Sequence, residues 1–253
     1  MARKPTDMLG SFAKGLSVIE AFTAERPKLT ISDAAAVTGL DRAAARRCLL
    51  TLTELGYADF DGKNFNLTPR ILRLGTSCLA TLPLPRIVQP LLDKLSAEIG
   101  QSTSVSILDH GEIVYVARAA QQRLMSINLM AGSRLPASCT SMGRVLLASL
   151  SDAEIRKILK DQPPRKRTPK TITSPEKILQ LVKRARTEGF AIVDQEIEIG
   201  LRSIAVPLFD SRGRTVAALN AGVAAVQDSA GELKHLYLDK LIAVQAALKP
   251  LLS

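Results

Sequence analysis

Cysteine and histidine are scarce in this sequence: Cys48, Cys78 and Cys139 are its three cysteines, His110 and His235 its two histidines. The cysteines stand 30 and 61 residues apart with no C-x-x-C pair, so neither a disulfide framework nor a metal site is encoded, and reduced, mostly buried thiols are expected. No run reaches the roughly eighteen uninterrupted apolar residues that a membrane span requires. Arg3 and Lys4 are followed by no apolar stretch or small-residue cleavage site. Nothing therefore signals export, and a cytosolic protein with no membrane partner is expected. The sequence also lacks G-x-x-x-x-G-K-[ST], H-E-x-x-H and a G-x-G-x-x-G following a strand, which removes the common nucleotide and metal-protease signatures and leaves no cofactor to expect. It holds no internal repeat.

What is present is ordinary in bulk. The 253 residues are 46% hydrophobic and 23% charged, a globular balance that suits one large domain or two small ones and excludes collagen, disordered-tail and disulfide-knot classes. Lys and Arg number 34 against 24 Asp and Glu, leaving a net charge of +10. Such a surface favours nucleic acid, acidic lipid or acidic metabolites, and charge alone does not choose among them.

Patterning divides the chain near Leu82-Pro83-Leu84-Pro85, where prolines are expected to interrupt a helical pattern. Upstream, Leu16, Ile19, Ala21 and Phe22 recur at helical intervals. Thr30 with Asp33 predicts a capped helix ended by Gly39, and Asp41 predicts the cap of a third helix to about Leu55, with Ala45, Cys48, Leu49, Leu52 and Leu55 along one face. Tyr57 to Thr68 reads as two strands around Asp61-Gly62. Helix, helix, glycine turn, helix, hairpin is the order of a winged helix-turn-helix, expected over residues 1–69. A linker helix is expected at 70–84. Residues 85–253 predict an α+β domain with a mainly antiparallel sheet: a helix at 86–99, hairpin strands at 103–108 and 113–117, and helices at 141–150 and 152–160. A basic loop at 163–169 and an exposed helix at 175–188 follow, then strands at 190–193, 203–209 and 215–221 and a helix at 229–248.

A helix that reads DNA needs an apolar side to seat it and long donors opposite, because guanine and phosphate present acceptors. Arg42, Arg46 and Arg47 meet that need, Ala43 and Ala44 would allow close approach to base edges, Thr51 could reach phosphate, and Lys63 lies in the wing. A solvated helix face would carry the same residues, and it is the surrounding order of elements that favours DNA. Residues 1–75 hold 11 basic and 8 acidic residues, so binding must depend on placement and on two copies meeting a two-part operator.

A second cluster follows Met130: Gly132, Arg134, Pro136, Ser138, Cys139, Thr140, Ser141. If Ser141 opens a helix, its free N–H groups form an anion receptor and Arg134 could pair a carboxylate; a merely capped helix after a loop is the plainer alternative. Asp194, Gln195 and Glu196 precede Gly200-Leu201-Arg202-Ser203, which could be pocket or surface turn. Asn220 lies in an apolar strand and needs a partner, whether ligand or structural hydrogen bond. Cys139-Thr140-Ser141-Met142-Gly143 nearly spells the G-x-S-x-G nucleophile elbow of an esterase but lacks its first glycine, and a Cys139 nucleophile would need one of the two histidines as base. An enzyme is not expected.

Several strings resemble the IclR family of bacterial transcription regulators, and the resemblance covers nearly the entire chain. Ser11-Phe12-Ala13-Lys14-Gly15-Leu16-Ser17-Val18-Ile19 is similar to the family's opening helix, and Gly39-Leu40-Asp41-Arg42-Ala43-Ala44-Ala45-Arg46-Arg47 to its turn and recognition helix. Gly132-Ser133-Arg134-Leu135-Pro136 through Ser141-Met142-Gly143-Arg144-Val145-Leu146-Leu147-Ala148 resembles its effector loop and following helix, and Asp194-Gln195-Glu196 through Gly200-Leu201-Arg202-Ser203-Ile204-Ala205-Val206-Pro207 its most specific motif. The recognition helix and Ser-Met-Gly-Arg string look most like the branch of β-ketoadipate pathway and hydroxybenzoate regulators. The resemblance implies a GAF-like effector domain, a homodimer or tetramer, a double-stranded DNA operator and an aromatic or dicarboxylic acid effector. It implies activation in the presence of the acid, through RNA polymerase, with repression relieved by ligand as the alternative. By carry-over, Arg134, Ser138, Thr140, Ser141, Met142, Gly143, Asp194, Glu196, Ser203 and Asn220 are the expected pocket.

Overall fold

The computed structural model describes residues 8–23, 26–75, 83–121 and 129–252. Its backbone contacts divide the chain into two compact units, Met1–Ala80 and Thr81–Ser253. The first unit runs α1 (Gly10–Glu20), β1 (Lys28–Leu29), α2 (Ile31–Thr38), α3 (Arg42–Glu54), β2 (Ala58–Phe60) and β3 (Phe65–Leu67). Local chemistry sets its boundaries. Thr30 and Asp33 form a reciprocal capping box at the start of α2, Gly39 ends α2 at φ 71°, and Asp41 caps α3 through the Ala44 N–H. The three helices close on Val18, Leu29, Ala34, Ala45, Leu49, Leu52 and Phe65, while the antiparallel sheet has the order β1-β3-β2. Strand β1 was not expected; two residues are too few for an alternating pattern to register. After β3, Pro69–Ile71 form a 3₁₀ turn and residues 72–75 are helical. The rest of the expected linker helix up to residue 82, and Cys78 with it, lies outside the described residues.

The first helix described in the second unit is α4 (Pro83–Ile99), which starts three residues before the helix expected at 86–99, at the prolines themselves. Both prolines occupy the first turn, where an N–H has no acceptor inside the helix and its loss is harmless. There follow β4 (Ser102–Asp109), β5 (Glu112–Ala119), β6 (Arg134–Pro136), α5 (Ser141–Leu147), α6 (Asp152–Asp161), α7 (Pro175–Glu188), β7 (Ala191–Asp194), β8 (Leu201–Phe209), β9 (Thr215–Ala224) and α8 (Leu233–Leu248). The six strands form one antiparallel sheet in the order β6-β5-β4-β9-β8-β7. Each face has its own core. Val88, Leu92 and Leu95 of α4 and Leu233, Tyr237 and Leu241 of α8 pack on one, with Val105, Val206 and Leu219 of the sheet. On the other, Val145 and Leu146 of α5, Ile155 of α6 and Ile178 and Val182 of α7 meet Ile113, Tyr115, Ala205 and Ala218. Helix α7 is therefore amphipathic and not simply exposed: it buries Ile178, Leu179, Val182 and Ala185 and turns its lysines and arginines outward.

One irregularity decides what the second face presents. The β4–β5 register shifts between Val105 and Ser106, which pair with Ala117 and Tyr115, so Val116 is an extra residue on β5. Before the bulge Ile113 and Tyr115 face α5; after it Ala117 and Ala119 face the opposite core and Arg118 turns toward α5. The chain leading into α5 is equally constrained. Gly143 lies against the 3₁₀ turn Ala137–Cys139, and a Cβ there would overlap the Cα and carbonyl of Ala137. Because both colliding groups are backbone, Gly143→Ala is expected to destabilise the protein by about 1–3 kcal/mol through overpacking. A urea titration should show a lower midpoint with an unchanged slope.

Candidate functional site

In the N-terminal unit, α3 exposes Arg42, Ala43, Arg46 and Arg47 along one side. Ala44 does not belong with them. It is 2% exposed and faces the unit's interior, 100° of helix rotation beyond Ala43. Thr51 is exposed, and in the unbound helix its hydroxyl donates to the Arg47 carbonyl at 2.8 Å. The wing is shaped by Asp61, whose Oδ1 accepts from Lys63 N at 3.0 Å and Asn64 N at 2.7 Å, with Gly62 at φ 96° and the Lys63 side chain exposed. The Asn64 and Lys63 N–H groups hold the Asp61 carboxyl at about 2. One exposed side of α3 thus carries three guanidinium groups around one small side chain, and Lys63 is exposed at the hairpin tip.

In the second unit, a cavity of about 40 Å³ opens between the sheet and the start of α5. Its floor is the second sheet face: Tyr115 and Arg118 from β5, Ser102 from β4, Asn220 and Gly222 from β9, Leu201 and Ser203 from β8, and Val193 from β7. Cys139, Thr140, Ser141 and Met142 close it from the α5 side, with Leu129, Leu135 and Ile197 at the rim. Thr140 Oγ1 caps α5 through Gly143 N at 3.1 Å, Ser141 Oγ donates to Ser203 Oγ at 2.8 Å, and Ser106 Oγ donates to Met142 Sδ at 3.1 Å. Burial pushes the Tyr115 hydroxyl up to about 12 and the Cys139 thiol above its ordinary value. Neither histidine lines this cavity, and His110 projects from the β4–β5 hairpin against Asp109 at 2.7 Å. Neither histidine is therefore placed as a base for Ser141 or Cys139.

Five of the expected pocket residues line the cavity: Thr140, Ser141, Met142, Ser203 and Asn220. The others do not. Arg134, expected to bind the acid, is held outside by Asp109 and Glu112, both at 2.7 Å; strand pairing sets Arg134 opposite Val114, beside the β4–β5 hairpin that carries those two carboxylates. Asp194 pairs with Lys170 at 2.8 Å and Arg202 at 2.6 Å. Ser138 supplies a carbonyl to Arg144 Nε at 3.2 Å, Gly143 supplies close packing, and Glu196 supplies a buried charge. The cationic residue that does line the cavity is Arg118, not singled out from the sequence, whose Nη1 donates to Ser104 Oγ at 3.1 Å. The alternation Ser102, Ser104, Ser106 marks a polar face on β4, but Arg118 joins it only through the β4–β5 register.

Comparison with known proteins matches residues 11–62 to the IclR helix-turn-helix domain and residues 76–247 to the bacterial transcriptional regulator IclR C-terminal domain. The chain belongs to the IclR family. It is 42% identical over 238 residues to the Pca regulon regulatory protein of Pseudomonas putida, covering 94% of this chain and 82% of that one. It is 39% identical over 220 residues to the p-hydroxybenzoate hydroxylase transcriptional activator of Acinetobacter baylyi, covering 85% of this chain and 81% of the other. Among solved structures it is similar to the inducer-binding domain of PobR from Acinetobacter, a double mutant in complex with 3-hydroxybenzoic acid. There the TM-score is 0.62 and the identity 30%, over 68% of this chain and all of that one. These relatives are transcriptional regulators.

In this IclR-family chain the segment after β7 is tied down by charge. Arg144 and Glu196 are 3% and 5% exposed at the side chain and meet at 2.7 Å. Glu196 Oε2 also accepts from Ile172 N at 3.1 Å, while Thr168 and Thr171 donate to the Gln195 and Glu196 carbonyls at 2.7 and 2.6 Å. The cavity wall from Cys139 to Met142 and the Ile197 rim are thereby fixed to one another. Glu196→Ala leaves a buried guanidinium unpaired and is expected to destabilise by about 3–5 kcal/mol, whereas Arg144→Met with Glu196→Leu should recover most of that loss. Denaturant midpoints for Arg144→Met, Glu196→Leu and the double variant test it; additive losses would refute the pairing. Asp194 supplies a pH prediction. Burial raises its pKa, but hydrogen bonds from Lys170, Gln195 and Arg202 outweigh that and hold it at about 2, against 3.8 for a free carboxyl. Its stabilising share is whole above about pH 4 and lost as pH falls toward 2. Asp194→Asn should flatten that part of the acid limb in a thermal-melt series.

Proposed function

We propose that the protein is a ligand-responsive DNA-binding regulator of aromatic-acid catabolism, acting as an activator when its acid is bound. Its DNA-binding part is taken as residues 1–69, its connecting helix as 70–84 and its effector-binding part as 85–253. The observation that carries this reading is the cavity itself: a sheet-floored, mostly apolar chamber with a guanidinium in its wall, in a chain whose other unit presents Arg42, Arg46 and Arg47 on one helix side. The relatives' names add support, since one is a regulator of a pca regulon and another an activator of p-hydroxybenzoate hydroxylase.

In this reading Arg42, Ala43, Arg46 and Arg47 enter the major groove and Lys63 touches backbone. Two modules of a homodimer, or of a tetramer built from two, engage an operator in the cytoplasm, and acid binding selects the arrangement that recruits RNA polymerase. At about 40 Å³, the cavity is smaller than the roughly 150 Å³ that accepts a benzene ring. Entry of an aromatic acid must displace side chains at the rim, which gives the ligand the differential contacts that a switch requires.

Arg46→Ala is expected to weaken operator binding by about 1–3 kcal/mol, or reduce its salt dependence by about one ion if the contact is to phosphate, and leave acid affinity unchanged. Fluorescence titration of a promoter fragment, with calorimetry for the acid, checks both quantities. Equal loss of the two would mean that the variant misfolds and that the division of roles is wrong, and indifference of the wild type to promoter DNA at low salt would end the proposal.

A further inference from the structure

We infer that the cavity selects an aromatic monocarboxylic acid bearing a ring hydroxyl, with Arg118 binding the carboxylate and Asn220 the hydroxyl, and that it rejects dicarboxylic acids. The inference rests on the reading of this cavity as the effector site and adds the ligand's polar pattern to it. Three observations carry it. Among the described residues that line the cavity, Arg118 is the one charged side chain. Its guanidinium spends one donor on Ser104 and keeps others for a ligand. Burial depresses its pKa, a measure of how little water reaches it, and a desolvated guanidinium gains most from a carboxylate that it can grip in two places.

Asn220 is the second observation. It is 8% exposed, it lines the cavity, and its Oδ1 is buried with no hydrogen-bond partner among the described residues. A buried amide oxygen left without a donor is unfavourable by about 1–3 kcal/mol, and a phenolic O–H is the donor that a ring acid can supply. The third is register. Ser104 pairs with Arg118 on one side and with Asn220 on the other, so Arg118 and Asn220 share a row and a sheet face two strands apart, about 10 Å between backbones. Once the lining side chains are displaced to admit it, a ring acid can span that row with its carboxylate at one end and its hydroxyl at the other. The cavity's other lining is apolar at Leu129, Met142 and Val193 and hydroxylic at Ser102, Thr140, Ser141 and Ser203. A second carboxylate placed there would meet neutral hydroxyls but no second cation, and burying a charge without one is unfavourable.

Calorimetric titration of the full chain with 4-hydroxybenzoate, 3-hydroxybenzoate, benzoate and adipate tests this. The wild type should bind at least one hydroxybenzoate about tenfold or more tighter than benzoate, the ratio expected for one buried hydrogen bond to an otherwise orphaned group, and adipate more weakly still. Asn220→Leu should bring the hydroxybenzoate-to-benzoate ratio to about one by weakening the hydroxylated acid alone; Asn220→Ala serves the same comparison if the leucine disturbs the strand. Arg118→Gln should weaken both aromatic acids by about ten- to a hundredfold while preserving their ratio. A wild-type ratio near one, a ratio untouched by either Asn220 variant, adipate binding tighter than the hydroxybenzoates, or full affinity in Arg118→Gln would each overturn the assignment while leaving the effector reading standing. Failure of the wild type to bind any of the four acids would overturn both.

Discussion

The buried pair of Arg144 and Glu196 is the interaction on which the effector unit's geometry depends. Helix α5 has seven residues, all buried, too few to be helical on their own account. Its place is set from outside by the Thr140 cap, the close approach of Gly143 to Ala137, and the ion pair. Two charges withdrawn from water gain little net stability over apolar side chains of the same shape. What the pair supplies is exclusivity. Glu196 has one oxygen for Arg144 and shares the other between Arg144 and the Ile172 N–H, so a shift of α5 against the 195–200 turn would leave a buried charge unmet. The cavity wall inherits its precision largely from Arg144, Glu196 and Gly143, which do not line the cavity.

The sheet contributes a second constraint. With helices on both faces, every strand must offer apolar side chains in both directions, and a strand that alternates strictly can place its polar residues on only one of them. The extra residue at Val116 breaks the alternation at one point on β5. It lets the strand serve the α5 core with Ile113 and Tyr115, serve the α4–α8 core with Ala117 and Ala119, and still return Arg118 to the cavity side. Seven residues thus carry three assignments, and removal of the bulge would send Arg118 into a core that has no partner for a charge.

How much of this was legible follows from the range over which each signal acts. Caps and turns are local, so Thr30, Gly39, Asp41 and the Asp109–Glu112 hairpin could be read directly. The motif around Thr140, Ser141 and Met142 and the polar Asn220 were legible as a site, and the same strings carried Ser138, Gly143, Asp194 and Glu196, which support the wall without lining it. Arg134 and Arg118 changed places because their difference is not local. Arg134 stands in a promising loop, but strand pairing sets it beside two carboxylates. Arg118 stands in an unremarkable strand, and only the register of β4 against β5 reveals its direction. Ala44 failed for a different reason: one helical position separates an exposed alanine from a buried one, and the packing of the other helices decides which is which.

Charge was the broadest signal and the least faithful. The net +10 of the chain suggests a polyanion partner, yet residues 1–75, with 11 basic and 8 acidic residues, hold less than a third of it. The rest lies beyond residue 75, where several basic side chains already face carboxylates: Lys170 meets Asp194, Lys183 and Arg186 meet Asp152, and Arg184 meets Glu188. A module with so small an excess cannot hold DNA by a diffuse field, because the counterion release that drives such binding scales with the number of phosphates neutralised. Affinity must then come from a few guanidinium groups whose position is fixed, and α3 fixes them by burying Ala45, Leu49 and Leu52 on its other side. If these arginines read DNA as proposed, the apolar face that seats the helix is what would make them specific, so a core substitution such as Leu49→Ala would erode sequence discrimination before it abolished binding.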